Sequence, residues 1–150
     1  LALPRRKEHP MFEIRPVQPS DRAVWMQLDP HLSDRAFDRK VRDRMGYLLF
    51  ADGVPAGLLR YHLFWDNIPF VTLLTVSPAF RRSGCGTALM RYWEDEMRRQ
   101  NHGMVMTSTQ SDETAQHFYR KLGYRDAGCL LLDLPGYAQP TELFFAKPLV

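Results

Sequence analysis

Cysteine is scarce in this chain of 150 residues, with Cys85 and Cys129 the two thiols, and neither has a partner at metal-ligand spacing. So small a number excludes a disulfide framework and a cysteine-based metal site, suits a reducing compartment, and leaves each thiol as a small apolar side chain. Long apolar runs are missing too. Nothing approaches the roughly 20 residues that a membrane helix needs, and residues 1–10 are basic with no apolar stretch behind them, which argues against secretion. A cytoplasmic location without a membrane partner is expected, and residues 1–10 are expected to form a disordered tail. Repeats and low-complexity segments are absent, since the 11 prolines and 9 glycines are scattered. No linker therefore divides the chain, and residues 11–150 read as one domain. Charge of one sign is also weak, at a formal +3. No basic run is interleaved with aromatics, which disfavours a nucleic-acid partner.

What is present is a strong alternation of strand and helix patterns. Residues 12–17 alternate apolar and polar, and Pro19, Ser20 and Asp21 offer a turn and cap before Val24, Trp25 and Leu28 at helical spacing. A polar, arginine-rich segment at 33–44, with Phe37 and Val41 four apart, predicts a second helix. Residues 47–50 and 57–65 flank Asp52-Gly53, a pairing suited to a tight hairpin. Asp66, Asn67 and Pro69 then form a turn before the apolar run 70–76, which reads as a central strand ending ahead of Pro78.

From Gly86, Leu89, Trp93 and Met97 recur every four residues, while Glu94 with Arg98 and Asp95 with Arg99 are expected to pair on an exposed face. Residues 104–107 predict a strand. Ser111 or Asp112 is expected to cap a helix whose inward stripe is Ala115, Phe118, Tyr119 and Leu122. Two last strands fall near 128–134 and 141–147. The order β α α β β β α β α β β mixes hairpins with helical crossovers, so the fold class is α/β, with about seven strands.

The chemistry concentrates between the central strand and the helix after it. There Arg81, Arg82, Ser83, Gly84, Cys85 and Gly86 precede the first intrahelical bonds, where backbone amides point outward and bind anions. Gly84 and Gly86 let a phosphate approach the main chain, and Arg81 and Arg82 can pair with it. The loop lacks the Lys-Ser/Thr of a triphosphate loop and the three-glycine spacing of a dinucleotide fold, so another phosphate-bearing ligand is implied.

Val76, Ser77 and Pro78 followed by Arg81, Gly84 and Gly86 resemble the acetyl-CoA signature of the GCN5-related N-acetyltransferase (GNAT) family: Arg or Gln, two variable residues, Gly, one variable residue, Gly or Ala, after a strand ending in Val-x-Pro. A second block, Asp112, Ala115, Phe118, Tyr119, Leu122, Gly123 and Tyr124, resembles the helix that carries that family's active-site tyrosine. The family often has Asn where Asp112 stands. The resemblance implies a mixed, mostly antiparallel sheet with helices on both faces, and a transferase that moves acetyl from acetyl-CoA to an amine acceptor by direct attack in a ternary complex. A non-catalytic acyl-CoA sensor is the alternative.

The resemblance further implies that backbone groups of Leu74, Thr75 and Val76 bond the pantetheine arm. Arg81, Arg82, Ser83, Gly84, Cys85, Gly86 and Thr87 would hold the diphosphate, with Asp112 and Ala115 near the cofactor and Tyr119 protonating the departing thiolate. Asp29, Trp65 and Asp66 would border the acceptor pocket. No metal is implied. No acidic residue lies within 70–76 to act as a strand-borne base, so the base is unassigned, with Asp66, Glu142, His62 and His31 as candidate relays through water. The late strands could pair across a homodimer or close one subunit's own sheet.

Overall fold

In a computed structural model describing residues 10–150, the elements follow as β1 (Phe12–Pro16), α1 (Arg22–Leu28), α2 (Asp34–Asp43), β2 (Gly46–Ala51), β3 (Val54–Phe64), β4 (Ile68–Val76), α3 (Cys85–Arg99), β5 (Met104–Gln110), α4 (Ala115–Lys121), β6 (Arg125–Leu130) and β7 (Glu142–Pro148). The tail expected at 1–10 lies, apart from Pro10, outside the described residues. The strands make a seven-stranded sheet in the order β1-β2-β3-β4-β5-β7-β6, so the α/β class and strand number read from the pattern hold. The sheet is mostly antiparallel. β4 and β5 run parallel, joined by the crossover through α3, and pair at Phe70 with Met106 and Val71 with Thr107.

The chain forms two compact units, one of residues up to Leu59 with Leu74–Leu89, the other of Arg60–Leu73 with Met90–Val150. In the first, Ser33 caps α2 by accepting from the Ala36 amide, and the helix ends at Arg44 in a left-handed conformation. Its core brings Trp25 edge-on to Phe37, 5.9 Å between centroids, with Leu48, Leu49, Leu58 and Leu59 fully buried. Asp52 and Gly53 both have positive φ, the geometry expected of a two-residue hairpin.

The second unit departs from expectation in four places, each for a physical reason. Pro69 lies inside β4, and the turn is instead Trp65-Asp66, both at positive φ, closed by the Asn67 amide on the Phe64 carbonyl. The N-cap position of α4 is Thr114, one residue before Ala115, so neither Ser111 nor Asp112 begins the helix. β6 ends at Leu130, and the chain then turns at Leu134 to Tyr137, closed by the Tyr137 amide on the Leu134 carbonyl, rather than extending along β7. The exposed pairs on α3 are Arg98 with Asp95 and Arg99 with Glu96, at i,i+3.

Glu94 is no surface residue. It is 3 % exposed, accepts the Tyr124 hydroxyl at 3.0 Å, and holds the Lys147 ammonium at 2.6 Å. The sequence carried a sign of this: Met90, Trp93, Glu94 and Met97 share the i, i+3, i+4, i+7 stripe that faces a core. Met90, Trp93 and Met97 are each wholly buried.

Candidate active site

In the first unit, β4 ends at Val76 and the chain turns through a single 3₁₀ turn at Pro78–Phe80. Leu74, Thr75 and Val76 are half-buried at the end of the strand, and the Ser77 amide bonds the Ala56 carbonyl at 2.7 Å. At Gly57 on β3, a Cβ would stand 3.0 Å from the Thr75 carbonyl oxygen, so glycine is what allows that approach. Close backbone passage is a recurrent reason for glycine within a strand.

The loop beyond is strained in a useful direction. Arg82 has φ 63° and Gly84 φ 89°, with open space where a Gly84 side chain would stand. The Ser83 amide and hydroxyl both bond the Phe80 carbonyl, and the Ser83 hydroxyl lies 3.1 Å from the Cys85 sulfur. Ala88 N–H on the Gly84 carbonyl, at 2.9 Å, closes the first helical turn. The amides of Cys85, Gly86 and Thr87 precede that bond, where an α-helix has no acceptors of its own to offer. Arg81 and Arg82 are exposed beside them. Cys85 is 1 % exposed, as befits a small apolar side chain, whereas Cys129 is exposed. The loop is thus a short arc of donors with two guanidinium groups on its approach, an arrangement suited to a diphosphate.

In the second unit, Tyr119 projects from α4 and is 5 % exposed. Its ring lies 5.8 Å from Tyr124 and 6.0 Å from Phe145, and its hydroxyl faces Thr107. Thr107 in turn donates to the Val71 carbonyl at 3.2 Å. Burial pushes the Tyr119 phenol upward, the nearby Thr107 hydroxyl opposes this, and the charge of Glu113 adds a smaller upward push. The phenol therefore holds its proton at neutral pH and can deliver it. Asp112 is exposed and Ala115 is half-buried at the start of the same helix.

Asp29 is 1 % exposed in the first unit, where its Oδ2 accepts from the Trp25 indole at 3.2 Å. Trp65 and Asp66 are exposed on the β3–β4 turn of the second. Of the four relay candidates, His31, His62 and Asp66 are exposed and Glu142 is half-buried. Ser108 Oγ and Gln139 Nε2 both donate to Glu142, at 2.7 and 3.1 Å. Among the described residues no group of three or more His, Cys, Asp or Glu side chains could hold a metal, and no helix is long and apolar enough to cross a membrane.

The architecture and the donor loop together define a GNAT-like acyltransferase. Residues 10–124 match the model of the Acetyltransferase (GNAT) family, and the chain belongs to that family. It is an acyltransferase of the N-acetyltransferase kind, whose family substrate is acetyl-CoA. Solved structures of similar fold include the ribosomal-protein-S18-alanine N-acetyltransferase of Escherichia coli, at 19 % identity and TM-score 0.78, covering 93 % of this chain and 94 % of that one. Ard1 of Thermoplasma volcanium is 19 % identical at TM-score 0.80, covering 93 % and 98 %. Arabidopsis thaliana Naa50, solved with the bisubstrate analogue CoA-Ac-MVNAL, is 15 % identical at TM-score 0.73, covering 91 % and 97 %. No curated protein matches the chain in sequence.

Proposed function

We propose that residues 11–150 act as a cytoplasmic acetyl-CoA-dependent N-acetyltransferase for a primary amine on a small molecule or peptide. The observation that carries this reading is the loop at 81–87: two exposed arginines, a left-handed Gly84 and helix amides without internal partners, directly after β4. Those amides and guanidinium groups bind the diphosphate, while main-chain groups of Leu74, Thr75 and Val76 bond the pantetheine arm as an added strand would.

The acceptor nitrogen attacks the thioester carbonyl carbon, forming the C–N bond as the carbonyl becomes an oxyanion. A backbone amide aimed at that oxygen contributes roughly 3 to 4 kcal/mol in comparable acyl transfers. Collapse breaks the C–S bond, and the electron pair leaves with sulfur. Tyr119 protonates the thiolate, and the proton lost by the amine returns through water to the phenolate, so the enzyme ends unchanged. Burial among Thr107, Tyr124 and Phe145 supports this role, because it keeps the phenol protonated, and so able to donate, at neutral pH.

A thiol-release assay with acetyl-CoA and an amine library tests the proposal. Turnover should appear with at least one primary amine, and Tyr119→Phe should lower kcat by about 10² to 10⁴ while leaving CoA affinity within about two-fold. Binding of CoA without transfer to any amine would instead define a sensor, and unchanged kcat in Tyr119→Phe would remove the phenol from the mechanism.

A further inference from the structure

The two faces of the sheet in the second unit carry different chemistry. Tyr61 meets Trp93 of α3, and Thr107 and Phe145 meet Tyr119 of α4, so both helices of this unit contact the face presented by odd-numbered residues. Side chains alternate along a strand, which sends His62 and Phe64 of β3, Phe70 of β4, Ser108 of β5, and Glu142 and Phe144 of β7 to the other face. There Phe144 lies 5.9 Å from Phe70, Phe70 lies 5.8 Å from Phe64, and Phe64 lies 4.7 Å from Trp65. The row of rings starts two residues from Glu142 and ends at a tryptophan that is 78 % exposed.

Glu142 is the charged member of this face with an unusual setting. It is half-buried, and both carboxylate oxygens are held by neutral donors, Ser108 and Gln139. Among the described residues it pairs with no cation, unlike Asp21 with Arg15 or Glu94 with Lys147. A half-buried carboxylate fixed in place, left without a counter-ion and flanked by an aromatic ring attracts an external cation. Two neutral donors orient its lone pairs without consuming its charge.

We propose that Glu142 is the ammonium-binding residue of the acceptor site, and that Phe144, Phe70, Phe64 and Trp65 form its aromatic floor. The acceptor class is then a primary ammonium carried on a planar or aromatic body, such as an arylalkylamine or an amine-bearing aromatic ring system. This deepens the acetyltransferase reading and names the acceptor of that same enzyme. Ser108 and Gln139 act as positioning residues, because they touch the carboxylate rather than the ligand.

The test pairs direct binding with kinetics, using 2-phenylethylamine and tryptamine against butylamine and phenylacetate. Calorimetry on the wild-type protein should show the two arylalkylamines binding more tightly than butylamine, with no binding of phenylacetate. Glu142→Gln should weaken arylalkylamine affinity, and raise its KM, by about 10- to 100-fold, with CoA affinity within about two-fold. Phe144→Leu should narrow the advantage of tryptamine over butylamine several-fold while leaving the charge requirement intact. Equal amine affinity in wild type and Glu142→Gln, or tighter binding of phenylacetate, overturns the assignment. Because amine binding is read without acetyl-CoA, failure of transfer alone counts against the enzyme reading and not against this site.

Discussion

Replacing Glu94 isolates a buried network that holds the base of α4 to α3 and β7. The carboxylate, 4 % exposed as a side chain, accepts from Tyr124 at 3.0 Å and pairs with Lys147 at 2.6 Å, and the Lys147 ammonium sits 5.6 Å over the Tyr124 ring. Burial, and after it the negative charge of Glu94, hold the Tyr124 phenol well above its usual range, so it is a donor at neutral pH. Glu94→Gln keeps the shape and an acceptor for Tyr124 but removes the counter-charge of Lys147. The loss is that of charge assistance on two bonds, about 2 to 3 kcal/mol. Glu94→Ala also leaves a cavity and a buried hydroxyl without an acceptor, and should cost about 3 to 5 kcal/mol. Lys147→Met removes the ammonium and leaves the carboxylate bonded to Tyr124, so the double variant with Glu94→Gln should be less unstable than the sum of the singles. Urea unfolding followed by circular dichroism measures each difference, and the coupling should be 1 kcal/mol or more. If Glu94→Ala lost under about 1 kcal/mol, or the two substitutions were additive, Glu94 would be a tolerated burial rather than a structural hub.

Three further outcomes follow from the same geometry. The upward shift of the Tyr119 phenol places the alkaline limb of kcat above the ordinary value of 10.0, since activity needs the protonated form and is lost as pH rises through the folded pKa; the pH profile of Tyr119→Phe should lack that limb. Gly84→Ala puts a Cβ on a residue with φ 89°, costing about 1 to 2 kcal/mol of stability, and should weaken CoA binding at least about ten-fold by calorimetry, through loss of the loop conformation rather than a clash. The Arg15 guanidinium, bonded to Asp21 at 2.7 and 2.8 Å, holds that carboxyl below its ordinary 3.8, so its stabilisation is complete above about pH 4 and lost as pH falls through the folded pKa; the stability gap between wild type and Asp21→Asn should shrink over that acidic range.

How much of this was legible depended on whether a feature is local. The hairpin at Asp52-Gly53, the helix within 33–44 and the α3 stripe are set within a few residues, and each stands where its pattern put it. The strand, loop and helix around 76–86 were equally readable, because a helix start and a glycine able to take positive φ are local properties. Partnerships between distant residues were not. Nothing near Glu94 names Lys147, 53 residues on, and charge spacing on the helix favoured Arg98 instead. Trp65 at φ 53° likewise gave no warning, since that conformation is uncommon for a bulky residue and Pro69 looked the better turn residue. Nothing local to Asp29 announced that it would be buried in the first unit and accept from the Trp25 indole.

The register of β7 against β5 ties the two halves of the proposed chemistry together. Thr107 opposes Phe145 and Ser108 opposes Phe144, one step along the same ladder. The first pair contacts Tyr119, and the second lies on the face where Ser108 fixes Glu142. Strand alternation thus puts the proposed proton donor and the proposed acceptor carboxylate on opposite faces of the sheet. A one-residue slip of β7 would exchange the faces, bringing Phe144 under Tyr119 and turning Glu142 toward the helices. The buried Lys147–Glu94 pair opposes that slip, because Lys147 shares the odd face with Phe145 and would be carried away from its carboxylate. Weakening that pair should therefore impair acceptor binding as well as stability, so Glu94→Gln is expected to raise the amine KM at temperatures where the protein remains folded. A variant destabilised to the same degree through Phe37→Leu, in the first unit, provides the control, and equal KM changes in both would show that register has no part in holding Glu142.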